Sequence, residues 1–120
     1  MKENLPMTNN TSFWSAVDRL ISESEIVIDR PKGSAHPKYP DLIYELDYGY
    51  LKNTTSPDGS GIDVWIGESG RKADAVMCIV DLMKRDSEIK ILIGCTEEEK
   101  EYIYDFHNKS ESMKGILIRR

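Results

Sequence analysis

Apolar residues first recur at helical spacing at Phe13, Ala16, Val17, Leu20 and Ile21, with Trp14 beside the stripe. That period predicts a helix over residues 11–22, capped by Thr11 or Ser12 and packed on a sheet. Residues 25–30 (EIVIDR) read as a short strand with Ile26 and Ile28 on one face, ended by Pro31. The following PKGSAHPKYPD is rich in proline and lysine and predicts a loop. Residues 42–51, rich in Tyr, Ile and Leu, predict a strand, and residues 52–61 a polar turn.

Alternation is cleanest at residues 62–66. Ile62, Val64 and Ile66 point one way and Asp63 and Trp65 the other. A loop over 67–73 leads to residues 74–83, apolar on both faces apart from Asp81, which predicts a central strand. After a turn at 84–87, Ile89, Ile91 and Ile93 share a face and Glu88 and Lys90 occupy the opposite one. Thr96-Glu-Glu-Glu99 is a capping box that opens a helix to about Asn108, with Tyr102, Ile103 and Phe106 on its apolar stripe. Residues 115–119 (GILIR) predict a last strand. Short strands with few helices favour an α+β, mainly β chain: a small barrel with helices packed outside.

Length and charge narrow the picture. At 120 residues the natural expectation is one domain over 1–120. A chain of that size buries roughly two-thirds of its unfolded surface, enough for one core. Net charge is −5 with acids and bases mixed, which argues against nucleic-acid binding. No apolar run approaches the roughly 20 residues that span a bilayer. The N-terminus has no apolar core of a signal peptide, so no membrane and a cytoplasmic setting are expected. Cys78 and Cys95 sit in apolar runs without metal-ligand spacing and read as buried, reduced thiols.

Candidate chemistry gathers around residues 48–64. Asp58 and Asp63 bracket a glycine-rich turn, and oxygen ligands there suit a hard cation such as Mg²⁺. The turn is equally consistent with an ordinary hairpin, since Pro-Asp-Gly is common turn chemistry. An EF-hand is rejected, because loop position 12 counted from Asp58 is Ser69 and strand residues intervene. Lys32 and Lys38 read alone as a solvated loop, Glu88 and Lys90 as a cross-strand ion pair, and Lys109 as a helix C-terminal base. His36 and His107 are given no ligand role. Together, acids and lysines from distant segments suit a polyanionic phosphate compound held through Mg²⁺ and ammonium groups.

In this order the segments resemble the family I soluble inorganic pyrophosphatases, as a short member. Asp29-Arg30-Pro31, then KGSAHP, then Lys38-Tyr39 match an acid before proline, a polar loop and a Lys-Tyr pair. Tyr44-Glu-Leu-Asp-Tyr48-Gly49-Tyr50 is similar to the family's Tyr-Pro-x-Asn-Tyr-Gly-Tyr/Phe. Asp58-Gly59-Ser60-Gly61-Ile62-Asp63-Val64 is similar to its Asp-Gly-Asp-Pro-x-Asp-Val metal motif, at the same spacing. Asp86-Ser87-Glu88-Ile89-Lys90 resembles a compressed acidic loop, and Asn108-Lys109 the C-terminal Tyr-Lys pair. The resemblance covers about residues 25–118 and leaves the N-terminal helix unexplained.

The resemblance implies a five-stranded OB-like barrel with flanking helices, and Mg²⁺-dependent hydrolysis of pyrophosphate to two phosphates. It implies Asp58 and Asp63 as catalytic residues, and Asp29, Asp58, Asp63, Asp86 and Glu88 as metal ligands. Lys38, Tyr48, Lys90 and Lys109 would hold the substrate. Ser60 replaces the acid that helps activate water, so reduced activity is expected, or another base such as Asp47. The family's hairpin with a glutamate and a phosphate-binding arginine is absent between Tyr39 and Tyr44. The alternative is a non-catalytic relative that binds a phosphate compound or a protein partner. The resemblance also leaves room for a homo-oligomer.

Overall fold

The computed structural model describes residues 10–57 and 59–120. Helix α1 spans Thr11–Ser22, and helix α2 spans Glu97–Phe106. Six strands make up the rest: β1 (Ile26–Arg30), β2 (Asp47–Leu51), β3 (Ile62–Ile66), β4 (Ala73–Asp81), β5 (Asp86–Ile93) and β6 (Met113–Arg119). They form one sheet in the order β1-β2-β3-β5-β4-β6. All neighbours are antiparallel except β3 and β5, which run parallel with Val64 opposite Ile91. The chain is α+β and mainly β, as expected. The sheet counts six strands rather than five, and its edge strands β1 and β6 do not pair among the described residues.

Strand alternation divides the core in two. On one face Tyr48, Trp65, Met77 and Leu92 are covered by α2 through Ile103. On the other, Leu51, Val64, Val76 and Ile91 are covered by α1 through Trp14 and Val17. Consecutive residues such as Val64 and Trp65 are therefore both fully buried, each in a different layer. The apolar character of β4 on both sides has the same cause.

Three details depart from the sequence reading. In α1 the cap is Asn10, without a side-chain bond, and Trp14 rather than Phe13 is buried. The larger indole takes the inner position, under the Arg120 guanidinium at 5.6 Å. Residues 42–46 are not a strand. Their backbone bonds to the preceding loop instead, with Gly33 N donating to Tyr44 O at 2.7 Å and Tyr44 N to Ser34 O at 2.9 Å. This frees the Tyr44 and Leu46 side chains to point into the core. Strand β4 stops at Asp81, whose Oδ1 accepts from the backbone N–H groups of Met83 and Lys84 and so closes a turn.

Strand ends shift too, β5 starting at Asp86 inside the expected 84–87 turn and β6 at Met113 rather than Gly115, while other local signals hold. The capping box of α2 is complete: Thr96 N donates to Glu99 Oε1 at 2.8 Å and Glu99 N to Thr96 Oγ1 at 3.2 Å. Both cysteines are free, and burial pushes the Cys95 thiol up to about 12. No helix among the described residues is long and apolar enough to cross a membrane.

Candidate active site

The site grows from the alternation of β3. Because Val64 faces α1, Asp63 faces the α2 side, beside Tyr48 and Tyr50 on β2. The Tyr48 hydroxyl donates to Asp63 Oδ2 at 2.6 Å. The parallel pairing of β3 with β5 then sets Lys90 next to them. Its Nζ lies 3.1 Å from Asp63 Oδ2 and 3.2 Å from Glu88 Oε1, and it also donates to the Tyr48 hydroxyl oxygen. A buried ammonium thus bridges two carboxylates and a phenol. Burial first, and then the Asp63 charge and hydrogen bond, hold the Tyr48 hydroxyl well above its ordinary pKa. It remains a neutral donor at any ordinary pH.

These groups line a cavity of about 690 Å³. Of the residues singled out from sequence, Asp29, Lys38, Tyr48 and Asp63 border it, together with Asp86, Glu88 and Lys90. Ser60 also borders it. Asp58 lies outside the described residues. Lys109 is exposed and does not border the cavity. Helix α2 ends at Phe106, and it is His107, the C-cap residue, that turns inward. Asp47 is likewise turned away, accepting from Lys32 N at 2.8 Å.

Arg30 is the functional candidate that sequence reading misses. The register of β1 against β2 shifts between Ile28 and Arg30, so Asp29 is the extra residue of a bulge and Arg30 takes the place opposite Tyr48. Its guanidinium donates to the Tyr44 hydroxyl and lies 5.5 and 5.6 Å from the Tyr44 and Tyr48 ring centroids. It has no carboxylate ion pair among the described residues, so it faces the cavity as an available fork of donors. Pro31, which ends the strand, is the one sequence signal nearby, and it does not announce a bulge. Asp81 and Lys84, at the β4–β5 turn, also border the cavity unforeseen.

The acidic residues can be asked whether they suit a cation. Among the described residues no three Asp, Glu, His or Cys side chains gather closely enough to hold a metal ion by themselves. Asp63 and Glu88 are engaged by Lys90. The donors facing the cavity are nonetheless carboxylate oxygens, the chemistry Mg²⁺ prefers. That ion is commonly held by one or two carboxylates plus substrate phosphates rather than by a cage of protein ligands. The donor set fits such a shared cation.

No protein-family profile matches the sequence, and no curated protein matches it. Solved structures do. An inorganic pyrophosphatase from Neisseria gonorrhoeae superposes with a TM-score of 0.56 at 18% identity, over 78% of this chain and 80% of that one. The inorganic pyrophosphatase of Helicobacter pylori gives 0.57 at 13% identity, over 82% and 86%. A protein from Anaplasma phagocytophilum, described as an inorganic phosphatase, gives 0.55 at 15% identity, over 78% and 82%.

Proposed function

We propose, starting from a chain that has the inorganic-pyrophosphatase fold, that this protein hydrolyses inorganic pyrophosphate to two phosphates with Mg²⁺ as cofactor. The supporting observation is one cavity in which the Asp63–Lys90–Glu88 network meets Lys38 and Arg30. Carboxylates alone would repel a diphosphate. The three cationic side chains supply donors for its oxygens, and Arg30 can take two of them at once.

Asp63, Asp86 and Glu88, with Asp29 and Asp58, would hold the cation. Bound there, Mg²⁺ neutralises phosphate charge and acidifies water. The chain's own residues do the rest. Tyr48 orients the Asp63 carboxylate through its 2.6 Å bond. Lys90 places positive charge beside the phosphate that water attacks, and Arg30 beside the one that leaves. Phe106 contributes an apolar patch to the cavity wall. Ser60 stands where a carboxylate would assist the attacking water, and a hydroxyl is no base at neutral pH. The missing assistance slows the reaction by about 10²–10⁴-fold. Two free thiols fit a reducing, cytoplasmic setting.

The test is release of phosphate from pyrophosphate by the purified chain. It should require Mg²⁺, stop on chelation and be lost in Asp63→Asn. Absence of release with Mg²⁺, Mn²⁺ and Zn²⁺ replaces hydrolysis with binding. Calorimetry with pyrophosphate would then measure the remaining anion site.

A further inference from the structure

We propose that the preferred substrate carries a planar ring on its diphosphate, in the manner of a nucleoside diphosphate, and that the inorganic ion is the poorer ligand. The inference rests on the hydrolytic reading above and concerns what fills the rest of the same cavity.

A volume of about 690 Å³ is far larger than an inorganic diphosphate and falls among sites for organic ligands, roughly 300–1,000 Å³. The cavity is also two-sided in chemistry. Its floor is the charged group of Asp63, Lys90 and Glu88 on β3 and β5. From there a series of rings leads outward along the loop between β1 and β2. Tyr48 lies 5.4 Å from Tyr44, and Tyr44 stacks on His36 at 6.2 Å and 10°. His36 is 5.0 Å from Tyr39. All four rings border the cavity; Tyr44 and Tyr48 are buried against the core, and Tyr39, 63% exposed, is the ring left accessible at the outer end. An inorganic diphosphate has no use for such a wall. A heterocycle would stack at its outer end, against Tyr39.

Arg30 stands at the join. Its guanidinium lies over Tyr44 and Tyr48, between the charged floor and the outer rings. That position suits the phosphate that carries the organic group, with the terminal phosphate at Lys90. The reaction is then hydrolysis of the anhydride. The oxygen of water bonds to the terminal phosphorus, and the bond from that phosphorus to the bridging oxygen breaks. The bridging oxygen leaves with the electron pair as part of the nucleoside monophosphate. At neutral pH one water proton stays on the released phosphate and the other passes to solvent.

Phosphate release is measured with adenosine diphosphate and with pyrophosphate under the same Mg²⁺ concentration. We expect kcat/KM for adenosine diphosphate to exceed that for pyrophosphate by tenfold or more. Tyr39→Ala should lower that ratio about tenfold, mainly through KM for the nucleotide, and Tyr39→Phe should keep it, as expected for one lost stacking contact. If pyrophosphate is hydrolysed as well as the nucleotide or better, or if Tyr39→Ala leaves the ratio as it is, the ring proposal is wrong and the hydrolytic reading stands. If neither compound releases phosphate, the hydrolytic reading falls and takes this one with it.

Discussion

The indole Nε1 of Trp65 donates a hydrogen bond of 3.1 Å to Nε2 of His107, linking the middle of β3 to the end of α2. An indole is only a donor, so His107 must accept and carry its own proton on Nδ1. That Nδ1 meets no partner among the described residues. Burial, and secondarily the charge of Lys90, lower the His107 pKa to about 3.

The consequence is a pH-dependent stability. The folded value lies below the free value of 6.5, so on acidification the unfolded chain takes the proton first. The contribution is complete above about pH 6.5. It declines by about 1.4 kcal/mol for each pH unit below that, toward the folded value of about 3. Urea unfolding of the wild type at pH 7 and pH 5 should show this decline. In His107→Phe the slope should be shallower, while the orphaned indole N–H itself costs about 1–3 kcal/mol at pH 7. Equal slopes in the two proteins would mean that His107 is not held neutral in the fold.

Lys90→Met tests the charged floor of the cavity. The change keeps an apolar stem but leaves Asp63 and Glu88 without the cation between them. Stranding part-buried charge in this way costs about 3 kcal/mol. The urea midpoint should fall with an unchanged m-value, and pyrophosphate hydrolysis should be lost. A midpoint that stays put would show that the network is neutral for stability, as some ion pairs are when desolvation offsets attraction.

Gly49→Ala tests the contact that seats Arg30. A Cβ at position 49 would come within 1.9 Å of the Val27 carbonyl oxygen on β1. Backbone cannot yield as a flexible side chain does, so β1 must separate from β2. The expected loss is about 3 kcal/mol, read as a lowered thermal midpoint. Proteolysis near Arg30 should quicken at temperatures where the rest of the chain stays folded, since β1 is an edge strand.

How far the sequence carried the reading depended on how local each signal was. The boundaries of β3 and the capping box of α2 rest on neighbours within a few positions, and both emerge as expected. The opposite facing of Asp63 and Val64 is equally local, since it follows from the pleat. Tyr44 shows where that logic ends. Its stretch has the composition of a strand, yet its backbone partners are Gly33 and Ser34, chosen by a loop whose path no period records. Arg30 is harder still, because the bulge at Asp29 shifts the register by one residue and reverses which side chain meets Tyr48. Lys109 shows the reverse case. A base after the helix is easy to recognise, but two residues of chain beyond Phe106 separate His107, which borders the cavity, from Lys109, which does not.

The parallel seam between β3 and β5 has a kinetic meaning. The hairpin of β4 and β5 closes through Asp81 and Asp86, five positions apart, whereas Val64 meets Ile91 only after β4 has been laid between them in sequence. Joining more distant positions costs more chain entropy, so the hairpin can register early and the seam late. The cluster of Asp63 and Lys90, which needs this seam, is accordingly expected to be completed late in folding. In Val64→Ala, we expect the loss of stability to emerge mainly as faster unfolding, with refolding little slowed. A matching drop in the refolding rate would put the seam in the folding nucleus instead.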